Sequence, residues 1–206
     1  KDKGVAVLEE PLVLIVSSPV PNIRRIQNIL EHVVKSKRSL LIIAPLEQQP
    51  FATLLANKVK GNIKINIVDP PGFGPTKADT LEDLAILTGA TVVDEELGDD
   101  LDLLDVNVLG EVLKSVTDAK NTILQIKDSN LDLTERIEEV KVKIDKETNA
   151  YIKIKLEKRL SMLTGKVGVI KVGADSAVEL KEKKDRVDDA LHATKAALIE
   201  GIVAGG

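Results

Sequence analysis

The sequence predicts an α/β fold in which strands pack against helices, followed by an antiparallel helical hairpin and a long C-terminal helix. Three observations carry this. Residues 12–16 and 40–44 are continuous apolar runs of strand length, each followed by turn residues and then by apolar residues at helical spacing. Residues 134–163 hold two helix-period segments separated only by Glu147-Thr148-Asn149. Residues 176–200 form one uninterrupted helical pattern.

Taken in order, Leu12-Val13-Leu14-Ile15-Val16 reads as a strand covered on both faces, and Ser17-Ser18-Pro19-Val20-Pro21-Asn22 breaks it. Asn22 is placed to cap a helix in which Ile23, Ile26, Leu30, Val33 and Val34 recur. Residues 40–44 give a second buried strand ended by Pro45. A helix over about residues 49–60 then carries Phe51, Leu54, Leu55 and Val59 on its apolar side, with Gly61 after its end. Ile63, Ile65 and Ile67 alternate with polar residues as a half-buried strand. Residues 70–75 read as a loop, residues 80–87 as a short helix capped by Gly89, and residues 91–93 as a strand.

Downstream, Ile137, Val140 and Ile144 mark one helix of the hairpin, and Ile152, Leu156, Leu160 and Leu163 the other. Gly165 ends the pair, so the domain boundary falls near Gly165-Lys166. Val167-Gly168-Val169-Ile170-Lys171-Val172 reads as a strand. In the last helix Val187, Ala190, Leu191, Thr194 and Leu198 form a single apolar stripe.

Composition removes several function classes. The 206 residues are 43% hydrophobic, enough for an ordinary core, yet Phe51, Phe73 and Tyr151 are the only aromatics. Base-stacking platforms for single-stranded nucleic acid are therefore missing. Lys and Arg number 29 against 33 Asp and Glu, a net charge of −4, which disfavours a duplex DNA binder. With no Cys there is no disulfide scaffold, iron–sulfur cluster or thiol nucleophile. His32 and His192 lie too far apart for a histidine-rich metal motif and read as surface or half-buried side chains. No apolar stretch approaches the ~20 residues of a membrane span. The start, Lys1-Asp2-Lys3-Gly4, does not resemble a signal peptide. The chain opens without Met and stops at Ala204-Gly205-Gly206, as an interior fragment would.

Candidate chemical motifs mostly fail. Asp128, Asn130, Asp132 and Glu139 mimic calcium-loop spacing, but Leu133 stands where such a loop needs Gly. Gly72-Phe73-Gly74 lacks the Lys-Ser/Thr of a phosphate loop, and no helix is expected to start directly after it. The acidic run from Asp94 to Asp105 is interleaved with leucines and reads as a solvated face.

Several segments together do resemble one family. Leu81-Glu82-Asp83-Leu84-Ala85-Ile86-Leu87-Thr88-Gly89-Ala90-Thr91 resembles the L-x-D-I-A-x-L-T-G-G segment of the group I chaperonins, the GroEL-type 60-kDa chaperonins. Ala52-Thr53-Leu54-Leu55-Ala56-Asn57 is similar to their A-T-L-V-V-N segment, and Pro71-Gly72-Phe73-Gly74 to their A-P-G-F-G loop. The stretches 169–174 and 181–194 resemble the family almost residue for residue, and 200–206 resembles the run into its V-x-A-G-G-G, all in the family's order.

The resemblance implies that residues 1–165 are an apical domain receiving unfolded client proteins and a lid co-chaperonin. Residues 166–206 would be an intermediate-domain segment ending where the equatorial domain begins. It further implies heptameric rings of the complete protein driven by ATP and Mg2+, with neither cofactor expected on this fragment, which would be monomeric. Nucleic acid and membrane are not implied as partners. The compartment would be the cytoplasm of a bacterium, a mitochondrial matrix or a plastid stroma.

Residue by residue, the family's client groove maps onto Gln27, Leu30, Glu31, Val34, Phe51, Leu55, Ala56 and Asn57. Asp189 matches the catalytic aspartate of the complete ATPase, and Gly205 and Gly206 match a glycine pair at the nucleotide. Departures are also visible. Pro75-Thr76-Lys77-Ala78 replaces an acidic residue and basic cluster, Gly165-Lys166 replaces a hinge glycine pair, Ala177 replaces a glutamate, and Gln27 replaces a groove leucine. Two other readings remain open: a free-standing α/β enzyme with a small-molecule site at its strand ends, and a structural ring component without client binding.

Overall fold

The structure, a computed structural model, describes residues 4–72, 74–119, 121–126, 133–165 and 170–202. They divide into two compact units, Lys1–Thr164 and Gly165–Gly206.

The first unit is built on a mainly parallel sheet. Its strands are β2 (Leu12–Val16), β3 (Leu40–Ile43), β4 (Ile65–Val68), β5 (Val92–Val93) and β6 (Gly110–Glu111), in the order β4-β3-β2-β5. The first four pair in parallel, and β6 runs antiparallel beside the start of β2, on Leu12 and Val13. Every residue of β2 and β3 is buried, as their unbroken apolar runs require. Alternation then splits those side chains between two faces. Leu12, Leu14, Val16, Leu40 and Ile42 lie in one core cluster with α1 (Gln27–Ser36) and α2 (Gln48–Val59). Val13, Ile15, Leu41 and Ile43 lie in a second with α3 (Pro75–Thr88).

A second, antiparallel sheet was not legible in the sequence. It pairs β1 (Ala6–Glu9) with β7 (Lys114–Thr117) and β7 with β8 (Thr122–Gln125). Leu8 and Leu124 join it to the α3 side of the core. The helical hairpin is present as α4 (Thr134–Lys146) and α5 (Ala150–Thr164), around Val140 and Leu163.

Some expectations need correction. Helix α3 starts at Pro75, five residues before the expected start, because Pro is preorganised for a helix's first position. A helix therefore does follow Gly74 at once, contrary to the reading of that loop. Asn22 caps a 3-10 turn over Ile23–Ile26, accepting from Arg24 N at 3.0 Å, and α1 begins only after it. Of the apolar side expected on the second helix, only Leu54 is buried; Phe51, Leu55 and Val59 are exposed. The acidic run winds into 3-10 turns whose first backbone N–H groups bond Asp94, Asp100 and Asp105, while Leu101 and Leu104 enter the core.

In the second unit, α6 (Ala177–Glu200) starts at Ser176, whose hydroxyl accepts from Glu179 N. Within the described residues its expected stripe is uncovered, with Leu191 40% and Leu198 82% exposed. Residues 170–172 are not strand, and the rest of that expected strand, with the Asp128, Asn130 and Asp132 spacing, lies outside the described residues.

One glycine has a packing reason. A Cβ on Gly110 would lie 2.6 Å from Thr88 O and 2.7 Å from Ala90 N, so β6 meets the turn after α3 backbone to backbone.

Candidate functional site

Helices α1 and α2 lie side by side because each links one parallel strand to the next over the same sheet face. Their entries are stitched by a parallel bridge between Val20 and Leu46, with Val20 N donating to Pro45 O (3.0 Å) and Glu47 N to Val20 O (3.3 Å). Their exits meet around a recess of about 260 Å3 lined by Val33, Val34 and Lys37 from the first helix's end and by residues 61–64 after the second. The pair anchors through Ile26, Ile29, Val33 and Leu54, each no more than 2% exposed.

Outward from that anchor the two helices carry apolar side chains that the fold leaves in solvent. Val34 is 53% exposed, Phe51 and Leu55 are each 44% exposed, and Ala56 is exposed beside them. Leu30 is different: it is half-buried and packs on the core, so it serves the fold as well as the surface. Gln27 and Glu31 form a polar ladder on α1, Gln27 Nε2 donating to Glu31 Oε1 at 2.8 Å and Glu31 Oε2 facing Lys35 Nζ at 3.8 Å. Asn57 is half-buried, donates to Thr53 O (3.0 Å) and accepts from Asn62 Nδ2 (3.1 Å). Val59, 80% exposed, extends the apolar surface beyond the residues mapped from sequence. Its place at i+8 from Phe51 was the available signal.

The alternative small-molecule site would sit at the strand ends. At the carboxyl ends of β2 and β5, where open α/β sheets bind ligands, the local groups are engaged with each other. Lys77 Nζ donates to Ser17 O (2.7 Å), Glu95 N donates to Ser18 Oγ (3.3 Å), and Arg25 joins Glu95 and Asp102.

On the far side of the first unit, α3 and the hairpin share a buried charge cluster. Asp83 accepts from Arg159 and from Arg136 Nε (2.9 Å), Asp79 accepts from Arg159 Nη1 (2.7 Å), and Glu82 pairs with Arg136. Burial opposes the charge on both arginines, but hydrogen bonds and attraction to Asp83 outweigh it. Both pKa values lie above the ordinary arginine range.

In the second unit Asp189 is exposed on α6 and makes no ion pair or side-chain hydrogen bond among the described residues. Neighbouring Arg186 pairs with Glu182, and His192 Nδ1 donates to Asp188 O at 2.8 Å. Gly205 and Gly206 lie outside the described residues. No group of three His, Cys, Asp or Glu side chains fit to hold a metal ion occurs among the described residues.

The first unit is thus a parallel sheet covered by paired helices that keep apolar side chains in solvent, with a helical hairpin attached. Residues 22–206 match the model of the TCP-1/cpn60 chaperonin family, and the chain belongs to that family. Its fold is similar to a crystal structure of the chaperonin gp146 from bacteriophage EL 2 (Pseudomonas aeruginosa), obtained in the presence of ATP-BeFx. The TM-score is 0.65 at 19% sequence identity over 98% of this chain. The chain spans 40% of the length of that chaperonin.

Proposed function

We propose that residues 1–165 act as the apical domain of a group I chaperonin, capturing unfolded client polypeptides and a lid co-chaperonin along α1 and α2. The observation that carries this is the exposure of Val34, Phe51 and Leu55 on helices anchored to the sheet through Ile29, Val33 and Leu54. Apolar side chains held rigidly in water attract any apolar segment without demanding a particular sequence. Residues 166–206 belong in this reading to an intermediate domain that carries Asp189 to a nucleotide held by the rest of the protein, within a heptameric, ATP-driven ring. Membership of the chaperonin family supports the chaperone role.

The test is suppression of aggregation of a denatured client by the 206-residue chain without ATP. Val34→Ser combined with Leu55→Ser removes exposed apolar surface only, so suppression is lost while circular dichroism and the urea midpoint stay near those of the parent. Retained suppression by this variant would overturn the groove, and no suppression by the parent chain would favour a purely structural ring component.

A further inference from the structure

The recess between the two helix exits is lined by both apolar and cationic side chains. Val33, Val34, Ile63, Lys37, Arg38 and Lys64 line it; a neighbouring hollow shares its three cations and is also lined by Glu9, which pairs with Lys114, and by Glu10. These cations come from different elements: Lys37 ends α1 in a left-handed conformation (φ 55), whereas Lys64 precedes β4. Attraction to a helix C-terminus accounts for Lys37 but not for Lys64. Arg38 is neutralised by Glu111 and donates to Glu10 O at 3.0 Å. Lys37 and Lys64, by contrast, are exposed and have no ion-pair or side-chain hydrogen-bond partner among the described residues. At the opposite end of the helix pair, Glu47, Gln48 and Gln49 stand around the entry to α2. Exposed Arg24 stands at that end too, beside the entry to α1.

We infer that this recess selects client segments in which an apolar residue is flanked by carboxylates, and so holds the carboxylate-bearing end of the segment. The inference rests on reading α1 and α2 as the client-binding surface. The apolar side chain enters beside Val34, which belongs to both the groove and the recess, and the carboxylates meet Lys37 and Lys64. Attraction in such a partly exposed place discriminates between partners more than it adds affinity. Segments flanked by Lys or Arg are repelled at the same end.

Three fluorescein-labelled peptides with one shared apolar centre test this, flanked on the C-terminal side by Glu, Ser or Lys pairs. Binding to the 206-residue chain is followed by anisotropy at low and high salt. The Glu peptide should bind roughly tenfold tighter than the Lys peptide at low salt, as expected for two partly exposed charge pairs. That ratio should fall towards one at high salt. It should also fall towards one in the double variant Lys37→Asn/Lys64→Gln, where Asn suits the left-handed backbone of position 37. Equal affinities for the Glu and Lys peptides would overturn the charge selection while leaving the groove intact. A preference that survives the double variant would place the selection elsewhere. Failure of all three peptides to bind would overturn the groove itself.

Discussion

The carboxylate of Asp83, wholly buried, accepts hydrogen bonds from both Nε and Nη2 of Arg159, the latter at 3.0 Å and 76 residues away in the chain. This two-point contact fastens α5 of the hairpin to α3, with Arg136 of α4 on the same carboxylate. The apolar part of that junction is a cluster of Leu87, Val140 and Leu163, with Ile137, Leu160 and Met162 among the half-buried side chains packed on it.

Removing one side of this contact should cost far more than the contact itself contributes. Asp83→Ala leaves the buried Arg159 guanidinium with Asp79 alone and the half-buried Arg136 with Glu82 and Glu139, an expected loss of about 3 kcal/mol. The change is read from urea unfolding, with amide exchange rising first in residues 134–164. Replacing both partners, as Asp83→Leu with Arg159→Met, should recover most of the loss. A lone Asp83→Ala costing less than about 1 kcal/mol would mean that the hairpin is held by its apolar contacts.

Alkaline pH provides a second check on the same junction. A cation whose folded pKa is raised stabilises the fold fully below its unfolded value and loses that effect only as pH passes the folded value. For Arg136 and Arg159 the ordinary value already lies above this range and the folded one is raised further, so neither arginine should destabilise the fold between pH 8 and about 11. In Arg159→Lys the cation titrates from about 10.4, so the stability gap to the parent should widen above about pH 10. Urea midpoints across this range, measured for both proteins, decide it; a constant gap would show that charge at position 159 is not what matters.

Gly110→Ala should destabilise the first unit by about 1–3 kcal/mol, because its methyl group meets the carbonyl of Thr88 and the amide of Ala90, neither free to move aside. Thermal unfolding measures this. Gly98→Ala is a useful contrast, since its cost comes from the left-handed backbone (φ 101) and open space surrounds it. Amide exchange in β6 should therefore rise for Gly110→Ala and stay at the parent's level for Gly98→Ala.

In the complete protein, Asp189→Ala should slow ATP hydrolysis by about 10²-fold while nucleotide affinity barely changes, the pattern of a group acting on the attacking water. Because the side chain is exposed and unpaired among the described residues, stability should move by no more than about 0.5 kcal/mol. Asp188→Ala, next to it on the same helix, is the control. Steady-state turnover that is near the parent's for both variants would sink the assignment.

The parallel sheet was readable because Leu12–Val16 and residues 40–43 are apolar at every position, a pattern that only a doubly covered strand tolerates. The antiparallel sheet was not. Lys114–Thr117 and Thr122–Gln125 are short and half-buried, so their side chains do not alternate cleanly between oil and water. Their hairpin did leave one signal in Asp118, whose Oδ1 accepts from Asn121 N at 2.6 Å. The groove was legible only in part. Periodicity groups Leu30 with Val34 and Phe51 with Leu54, but only the three-dimensional packing separates those that serve the core from those that face solvent. The Asp83 junction was invisible to periodicity, since an Asp between Leu81 and Leu84 looks like any helix charge and its partners lie more than 50 residues away.

The pairing of Ala6 with Thr117 also has a kinetic side. Strands β2, β3 and β4 can zip together in the order in which they are synthesised, each crossover closing a modest loop. Strand β1 cannot be paired until more than a hundred further residues have been made, and closing so long a loop is entropically slow. During synthesis the second face of the parallel sheet, with Val13, Ile15, Leu41 and Ile43, therefore waits uncovered until α3 arrives, and Leu8 waits longer still. A nascent chain stalled before residue 75 would present that oily face to the cell. It would need the same protection from aggregation that the chaperonin family gives to others.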